Sequence, residues 1–408
     1  MIFTIVPLIV LLLLLQYSMA AKKQPLFFEV IKKEVKTRAR LGILHTPHGT
    51  VKTPSYVMVA THAQIKCLKP SDIKKTKTQM VISNTYHLWD TVLAGKASKK
   101  SFIWERLGTK MPTMTDSGGF QVFSFGAAKE HNVGKVLKPS DKKQETSDKK
   151  KNVKITEKGV YFSLDGKRQF LSPENSIQIQ EKIGADIIFA FDECTSPLHP
   201  FAYNRQAMER THRWALRCLK AKTRDDQMLF GIVQGGRSKQ LRTKSAKYIG
   251  SLPFQGFGIG GSFGEDEMAS TLATIVPHLP VEKPRHLLGI GRVKDIFIAV
   301  ENGIDLFDCV IPTREARHAR IWTKQGHYDI RKSKFADDNK SLEAGCGCPT
   351  CKKISKAKLH KLFKTKHPNA GRFATIHNVW FFNTLLEEIR NSLARGTFRK
   401  LKKRYLGY

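Results

Sequence analysis

Four short stretches of the chain carry residues suited to chemistry at a bound ligand. The first is Asp116-Ser117-Gly118-Gly119-Phe120, a carboxylate ahead of a glycine pair that lets backbone approach a ligand closely. The second is Asp192 in Phe191-Asp192-Glu193-Cys194-Thr195, a carboxylate leaving an apolar run. The third, Gln234-Gly235-Gly236, joins an amide to bare backbone. The fourth, Asp308-Cys309-Val310-Ile311-Pro312-Thr313-Arg314, sets a carboxylate ahead of an arginine. Taken singly each is weak, because a strand-end aspartate is often a helix N-cap and paired glycines are often turns. A fifth stretch, Cys346-Gly347-Cys348-Pro349-Thr350-Cys351, offers three thiolates on a tight turn, which suits tetrahedral zinc. The fourth ligand must come from downstream, where His360, His367 and His377 lie. His377 stands at the start of an apolar helical pattern, where a structural ligand would be held still, and is the expected partner. Four protein ligands close the coordination sphere and make the metal structural.

The elements that must position these residues follow a regular alternation. From about residue 55 to about residue 312, short apolar runs rich in Val, Ile and Phe alternate with helix-like segments. Strands are expected over 56–60, 80–83, 112–115, 187–191, 229–233, 256–260, 286–290 and 306–311. Ser172-Pro173-Glu174 reads as a helix start, with Ser as N-cap and Pro at the first helical position, and Gly184 as its end. Gly264-Glu265-Asp266-Glu267 opens another helix, and 293–302 forms a third, closed by Gly303. Eight strands alternating with helices predict an α/β chain folded as a (β/α)8 TIM barrel, with a doubly wound sheet as the competitor. The polar residues tip the choice. Asp116, Asp192 and Gln234 follow the third, fourth and fifth strands, Gly260-Gly261 and Gly289–Gly291 end the sixth and seventh, and Asp308 lies in the eighth. A barrel would gather all of them on one face.

Bulk properties limit the partners. Lys and Arg number 70 against 35 Asp and Glu, so the net charge is +35 and the chain draws polyanions, nucleic acid first and an anionic membrane surface second. Hydrophobic residues make up 41%, which excludes a wholly disordered chain. Seven cysteines, three of them clustered, fit a reducing compartment with a metal site better than a disulfide framework. A cytoplasmic protein is therefore expected. Residues 2–15 are apolar and charge-free, with no basic residue before them and a second methionine, Met19, after them. They read as a start assigned too early, a signal or anchor segment, or a buried element, with the first favoured. The expected organisation is an apolar extension over 1–18, a barrel over 19–330 with a Lys-rich loop inserted at 129–158, a C-terminal zinc-binding subdomain with a closing helix over 331–395, and a basic tail over 396–408.

In order along the chain, DSGGFQVFS, FDECT, VQGG, the glycine pair after GFGI, LLGIG, FDCVIPTR and the CxCxxC cluster with its distant histidine resemble the tRNA-guanine transglycosylases of bacterial type. The resemblance runs from about residue 26 to about residue 385 and implies the same barrel with a zinc subdomain. It implies exchange of the wobble guanine of tRNA for a 7-deazaguanine base, in anticodons of the Asp, Asn, His and Tyr type, by a homodimeric enzyme. Asp308 would be the nucleophile at C1′ and Asp116 the general acid/base. Ser117, Gly118, Gly119, Asp192, Cys194, Gln234, Gly235, Gly260 and Gly261 would line the base site, with Phe120 and Leu288 sandwiching the base. Gly289, Ile290, Gly291, Arg292, Val293, Lys294 and Asp295, together with Thr313, Arg314, Glu315, Ala316 and Arg317, would grip the anticodon loop. Cys346, Cys348, Cys351 and His377 would bind Zn2+. The stretch Ser262-Phe263-Gly264-Glu265 is about one residue shorter than the family's usual loop, so 7-aminomethyl-7-deazaguanine and queuine both stand as the incoming base. A non-catalytic RNA-binding subunit of the same family is the alternative; it would be signalled by loss of Asp116 or Asp308, and both are present.

Overall fold

A computed structural model describes residues 26–93, 95, 102–120, 136–137, 153–164, 167–261, 263–264 and 267–407. The apolar extension over 1–18 and most of the Lys-rich stretch lie outside these residues, as do Ser262 and Glu265. Eight parallel strands close into a barrel in chain order: β1 (Ser55–Val59), β2 (Val81–Ser83), β3 (Thr113–Thr115), β4 (Ile187–Phe189), β5 (Met228–Val233), β6 (Gly256–Ile259), β7 (Arg285–Leu287) and β8 (Leu306–Cys309). β8 returns to pair with β1, setting Asp308 beside Val57. All eight expected strands are present, and several end earlier than expected. Their last residues leave the ladder to build the mouth of the barrel.

One helix starts and stops where local chemistry predicts, whereas the helix expected to open at Gly264–Glu267 begins at Met268. Helix α1 (Pro173–Ile183) is capped by Ser172, whose Oγ accepts from the Asn175 amide at 3.2 Å, and is ended by Gly184 at φ 84°. Around the barrel follow α2 (Phe201–Ala221), α3 (Lys239–Ser251), α4 (Val293–Glu301) and α5 (Ile311–Arg317). One core fills the space between barrel and helices. A second fills the barrel itself with Val57, Ile82, Met114, Ile187, Phe189, Phe230, Ile232 and Leu306. Each such fully buried side chain contributes about 1.5–3 kcal/mol.

The N-terminal end of the barrel is closed by a feature the strand alternation did not predict. Strands Phe27–Lys33, Arg40–Thr46 and Gly49–Thr53 form an antiparallel sheet, and Phe28, Leu44 and Val51 pack into the barrel core. Arg40 is buried and holds Asp305 with Nε at 2.8 Å and Nη2 at 2.6 Å, pinning this sheet to the base of β8. The Lys-rich stretch also differs from the loop expected over 129–158. At its end, Val153–Ile155 forms a strand of a three-stranded antiparallel sheet with Val160–Leu164 and Lys167–Leu171, and Val136–Leu137 pairs with Phe263–Gly264. Alternation of apolar and polar residues outweighs the high lysine content there.

The C-terminal lobe begins earlier than residue 331. The hairpin of Arg320–Thr323 and Gly326–Asp329 shares a core with Leu342, Leu359 and Ala374 through Ile321 and neighbouring Ile330. Helix α6 (Ala370–Ala394) binds this lobe to the barrel. Arg372 pairs with Asp72 at 2.7 and 2.8 Å, Asn383 donates to the Thr76 carbonyl at 2.8 Å, and Arg390 donates to the Pro54 carbonyl at 2.7 Å. The basic tail folds as a helix over Phe398–Leu406, with Phe398 packed 5.9 Å from the Phe297 ring and its lysines and arginines largely outward. Among the described residues, no helix is long and apolar enough to cross a membrane.

Candidate active site

The barrel mouth gathers the carboxylates that the sequence singles out. Asp116 stands just past β3, where its Oδ1 accepts from the amides of Thr85 at 3.0 Å and Gly118 at 3.1 Å. Its Oδ2 accepts from Asn84 Nδ2 at 2.6 Å. Burial lifts its carboxyl to about 7 and the nearby Asp308 charge adds to the rise, against the downward pull of these hydrogen bonds. Near neutral pH this group can therefore both give and take a proton.

Asp308 lies on the inner face of β8. Its Oδ1 accepts from the Gly289 amide at 2.9 Å and meets His286 Nε2 at 2.8 Å. Strand alternation produces this meeting: His286 on β7 and Asp308 on β8 both point inward, whereas their neighbours Leu287 and Phe307 pack outward among the helices. One carboxylate is thus anchored by two donors on one oxygen, and the other has its protonation balanced near neutrality.

A second group of residues forms a polar wall beside them. Asp192 is buried; its Oδ1 accepts from Ser117 Oγ at 3.1 Å and its Oδ2 from Gln234 Nε2 at 2.6 Å. The Gln234 amide oxygen Oε1 is buried with no partner among the described residues, an acceptor available to a ligand donor. Gly261, at φ 82°, sits against it: a Cβ there would stand 2.7 Å from Gln234 Oε1 and from Arg242 Nη2. Gly119 similarly passes the Asp192 carbonyl, where a Cβ would come within 2.8 Å. Cys194 is buried in reach of the Arg242 charge, and Phe120 is exposed at the mouth, while Leu288 is half-buried.

Sequence reading missed four supporting residues. Fully buried Arg242, on α3, donates to the carbonyls of Gly236 at 2.8 Å, Val233 at 3.1 Å and Gly260 at 2.7 Å. Burial lowers its guanidinium to about 10, which leaves it charged at neutral pH, so one cation ties the Gln234 loop to the Gly260-Gly261 turn. Asn84 and Thr85 hold Asp116, and His286 holds Asp308. No local motif marks these residues; they become visible through their partners.

The segments expected to touch RNA are split by burial. Lys294 and Arg314 are exposed, and the Arg292 side chain is 42% exposed while pairing with Asp295 at 2.8 Å. Ile290, Val293 and Ala316 instead send their side chains into the cores, and Thr313 and Asp295 are buried. Glu315 accepts from Trp322 Nε1 at 2.6 Å and from Arg320 Nη1 at 3.1 Å, joining α5 to the C-terminal lobe. Arg317 is half-buried, and its Nη1 has no partner among the described residues.

In that lobe Cys346, Cys348, Cys351 and His377 converge, their ligand atoms within 4.8 Å of one another. The three sulfurs lie 3.8, 3.5 and 3.4 Å from His377 Nδ1. A tetrahedral ion with metal–sulfur bonds of about 2.3 Å and a metal–nitrogen bond of about 2.0 Å requires about this spacing. His377 Nε2 donates to the Trp322 carbonyl at 2.8 Å, which leaves the Nδ1 lone pair for the metal. His360 points elsewhere, to the Ile330 carbonyl at 2.8 Å.

A sequence model of the family described as Queuine tRNA-ribosyltransferase matches residues 34–407. The chain belongs to this family. It is 39% identical over 384 residues to the queuine tRNA-ribosyltransferase of Halothermothrix orenii, covering 93% of this chain and 96% of that protein. It is 41% identical over 379 residues to that of Halalkalibacterium halodurans, covering 90% of this chain and 92% of that protein. Membership makes the chain a glycosyltransferase of the pentosyltransferase class, and the structure gives the expected barrel with a C-terminal Cys3His cluster that could hold a metal ion.

Proposed function

We propose that this enzyme replaces the wobble guanine of tRNA with a 7-deazaguanine base by two successive displacements at the ribose C1′. The observation that carries the reading is the pair of carboxylates at one barrel mouth: Asp308 anchored on one oxygen, and Asp116 lifted to about 7. In the first displacement the Asp308 carboxylate bonds to C1′ as the C1′–N9 bond breaks. Guanine leaves with that electron pair and a proton from Asp116. In the second, N9 of the incoming base bonds to C1′, its proton passes to Asp116, and the Asp308 carboxylate departs with its electrons. Double displacement keeps the configuration at C1′. Asp192 and Gln234 Oε1, which has no partner among the described residues, supply acceptors that match the N1–H and 2-amino donors shared by guanine and 7-deazaguanines. Phe120 and Leu288 would stack the base after it leaves its neighbours. Arg292, Lys294, Arg314 and Arg317 are the cations for the anticodon-loop phosphates. The Cys3His cluster would hold zinc, which fixes the C-terminal lobe and takes no part in the displacements.

The test is incubation with a tRNA bearing a wobble guanine and each of guanine, 7-aminomethyl-7-deazaguanine and queuine. Labelled guanine should enter tRNA, and an enzyme–tRNA adduct should survive a denaturing gel in wild type and vanish in Asp308→Asn. An adduct that persists in Asp308→Asn would remove Asp308 from its role.

A further inference from the structure

His286 has no part in the chemistry just described, yet it touches the residue at its centre. It is fully buried on β7, with Nε2 2.8 Å from Asp308 Oδ1, the same oxygen that accepts from the Gly289 amide. A carboxylate oxygen only accepts, so the ring proton sits on Nε2. Its other nitrogen, Nδ1, is buried without a partner among the described residues, and the ring lies 5.5 Å from that of Phe189. An unmet buried acceptor works against folding. An apolar side chain at this inward position would serve the barrel core better, unless the Nε2–H bond to Asp308 has a function of its own.

We propose that His286 is a positioning residue for the Asp308 carboxylate, and this rests on the reading of Asp308 as nucleophile. Together with the Gly289 amide it holds Oδ1, so that Oδ2 is the oxygen that bonds to C1′. In the covalent intermediate Oδ1 becomes the ester carbonyl oxygen and keeps both donors. When the incoming base displaces the ester, the C1′–O bond breaks and its electron pair returns to the carboxylate. Both hydrogen bonds then strengthen, because a charged acceptor binds donors more tightly than a neutral carbonyl. His286 keeps its proton throughout; the proton of the incoming base goes to Asp116. The imidazole therefore favours departure of the carboxylate, and its loss should slow the second displacement above all.

The experiment compares wild type, His286→Leu and His286→Gln by steady-state exchange and by chasing the preformed adduct with excess base. The Gln amide nitrogen can reach the place of Nε2, whereas Leu offers no donor. His286→Leu should lose at least tenfold in kcat and in the chase rate while the KM for tRNA stays within twofold. His286→Gln should recover most of that loss. Equal rates in Leu and Gln variants, or a wild-type chase rate in His286→Leu, would overturn the proposal. If the Leu variant does not fold, 15N-histidine spectra of the wild-type protein decide: protonation at Nε2 is expected, and a ring protonated at Nδ1 alone refutes it. Asp308→Asn run alongside separates the two readings. An adduct abolished in Asp308→Asn together with a wild-type chase rate in His286→Leu sinks only the role of His286; an adduct that survives in Asp308→Asn sinks both.

Discussion

Asp116→Asn gives a direct physical test of the two-carboxylate site. Burial and the Asp308 charge lift the Asp116 carboxyl from an ordinary 3.8 to about 7. Each pH unit in that interval corresponds to about 1.4 kcal/mol between protonation states, so the whole interval is worth on the order of 4 kcal/mol. Between those two values the folded protein holds a proton that the unfolded chain has released. The contribution is therefore fully present below 3.8, declines as pH rises and is gone above about 7. About 3 kcal/mol of it falls between roughly pH 5 and pH 8. Asparagine cannot ionise, so the variant lacks this slope. Its amide also faces Asn84 Nδ2, which shifts its stability by an amount independent of pH; slopes, not absolute values, are the comparison. Urea denaturation across that range should show wild type losing stability relative to Asp116→Asn as pH rises. Parallel curves, or a wild type that gains on the variant, would refute the account of Asp116. The same variant should slow base exchange by about a hundredfold or more, the usual scale for a lost general acid/base.

The other expectations concern the walls and the lobe. Arg242→Met removes a donor from three carbonyls, of which Val233 keeps the Gly260 amide, and should cost about 2–4 kcal/mol in chemical denaturation, with a raised KM for the incoming base. Phe120→Ala should raise that KM by about tenfold while leaving thermal stability almost unchanged, since the ring is exposed. Gly261→Ala adds strain of about 1–3 kcal/mol at φ 82° and pushes a methyl against Gln234; base binding measured by calorimetry should weaken sharply. Cys351→Ala should lower metal content measured by atomic spectrometry and lower the melting temperature, while unchanged metal would remove that residue from the ligand set.

The barrel was legible because β-rich runs, capped helices and glycine stops recur with one period. Ser172, Pro173 and Gly184 carry their meaning locally, so α1 could be placed almost to the residue. The cysteines of the Cys3His cluster were legible because three fall within one turn, whereas three histidines competed for the fourth place and only the fold brings His377 to them. Arg40, Arg242 and His286 were not legible. Each carries no local signal in the sequence and acquires its role from a partner on another element, at Asp305, Gly260 and Asp308 respectively. The N-terminal antiparallel sheet was missed because its strands precede the alternation, and the strand at Val153–Ile155 because lysines surround it. The motif glycines pointed to the right places without saying why; only their neighbours show that Gly261 makes way for an amide and a guanidinium.

The barrel interior is packed solid, by its own side chains and by Phe28, Leu44 and Val51 beneath them, so the site has no route out through the barrel. On the proposed double displacement, departing guanine and arriving base would then share one doorway at the barrel mouth. The old base has to go before the new one can occupy its seat. Free guanine should then compete with the incoming base rather than with RNA, and initial-rate plots should show the parallel lines of a ping-pong sequence. The proposed covalent intermediate would set that kinetic pattern, and the packed barrel would leave both bases a single route.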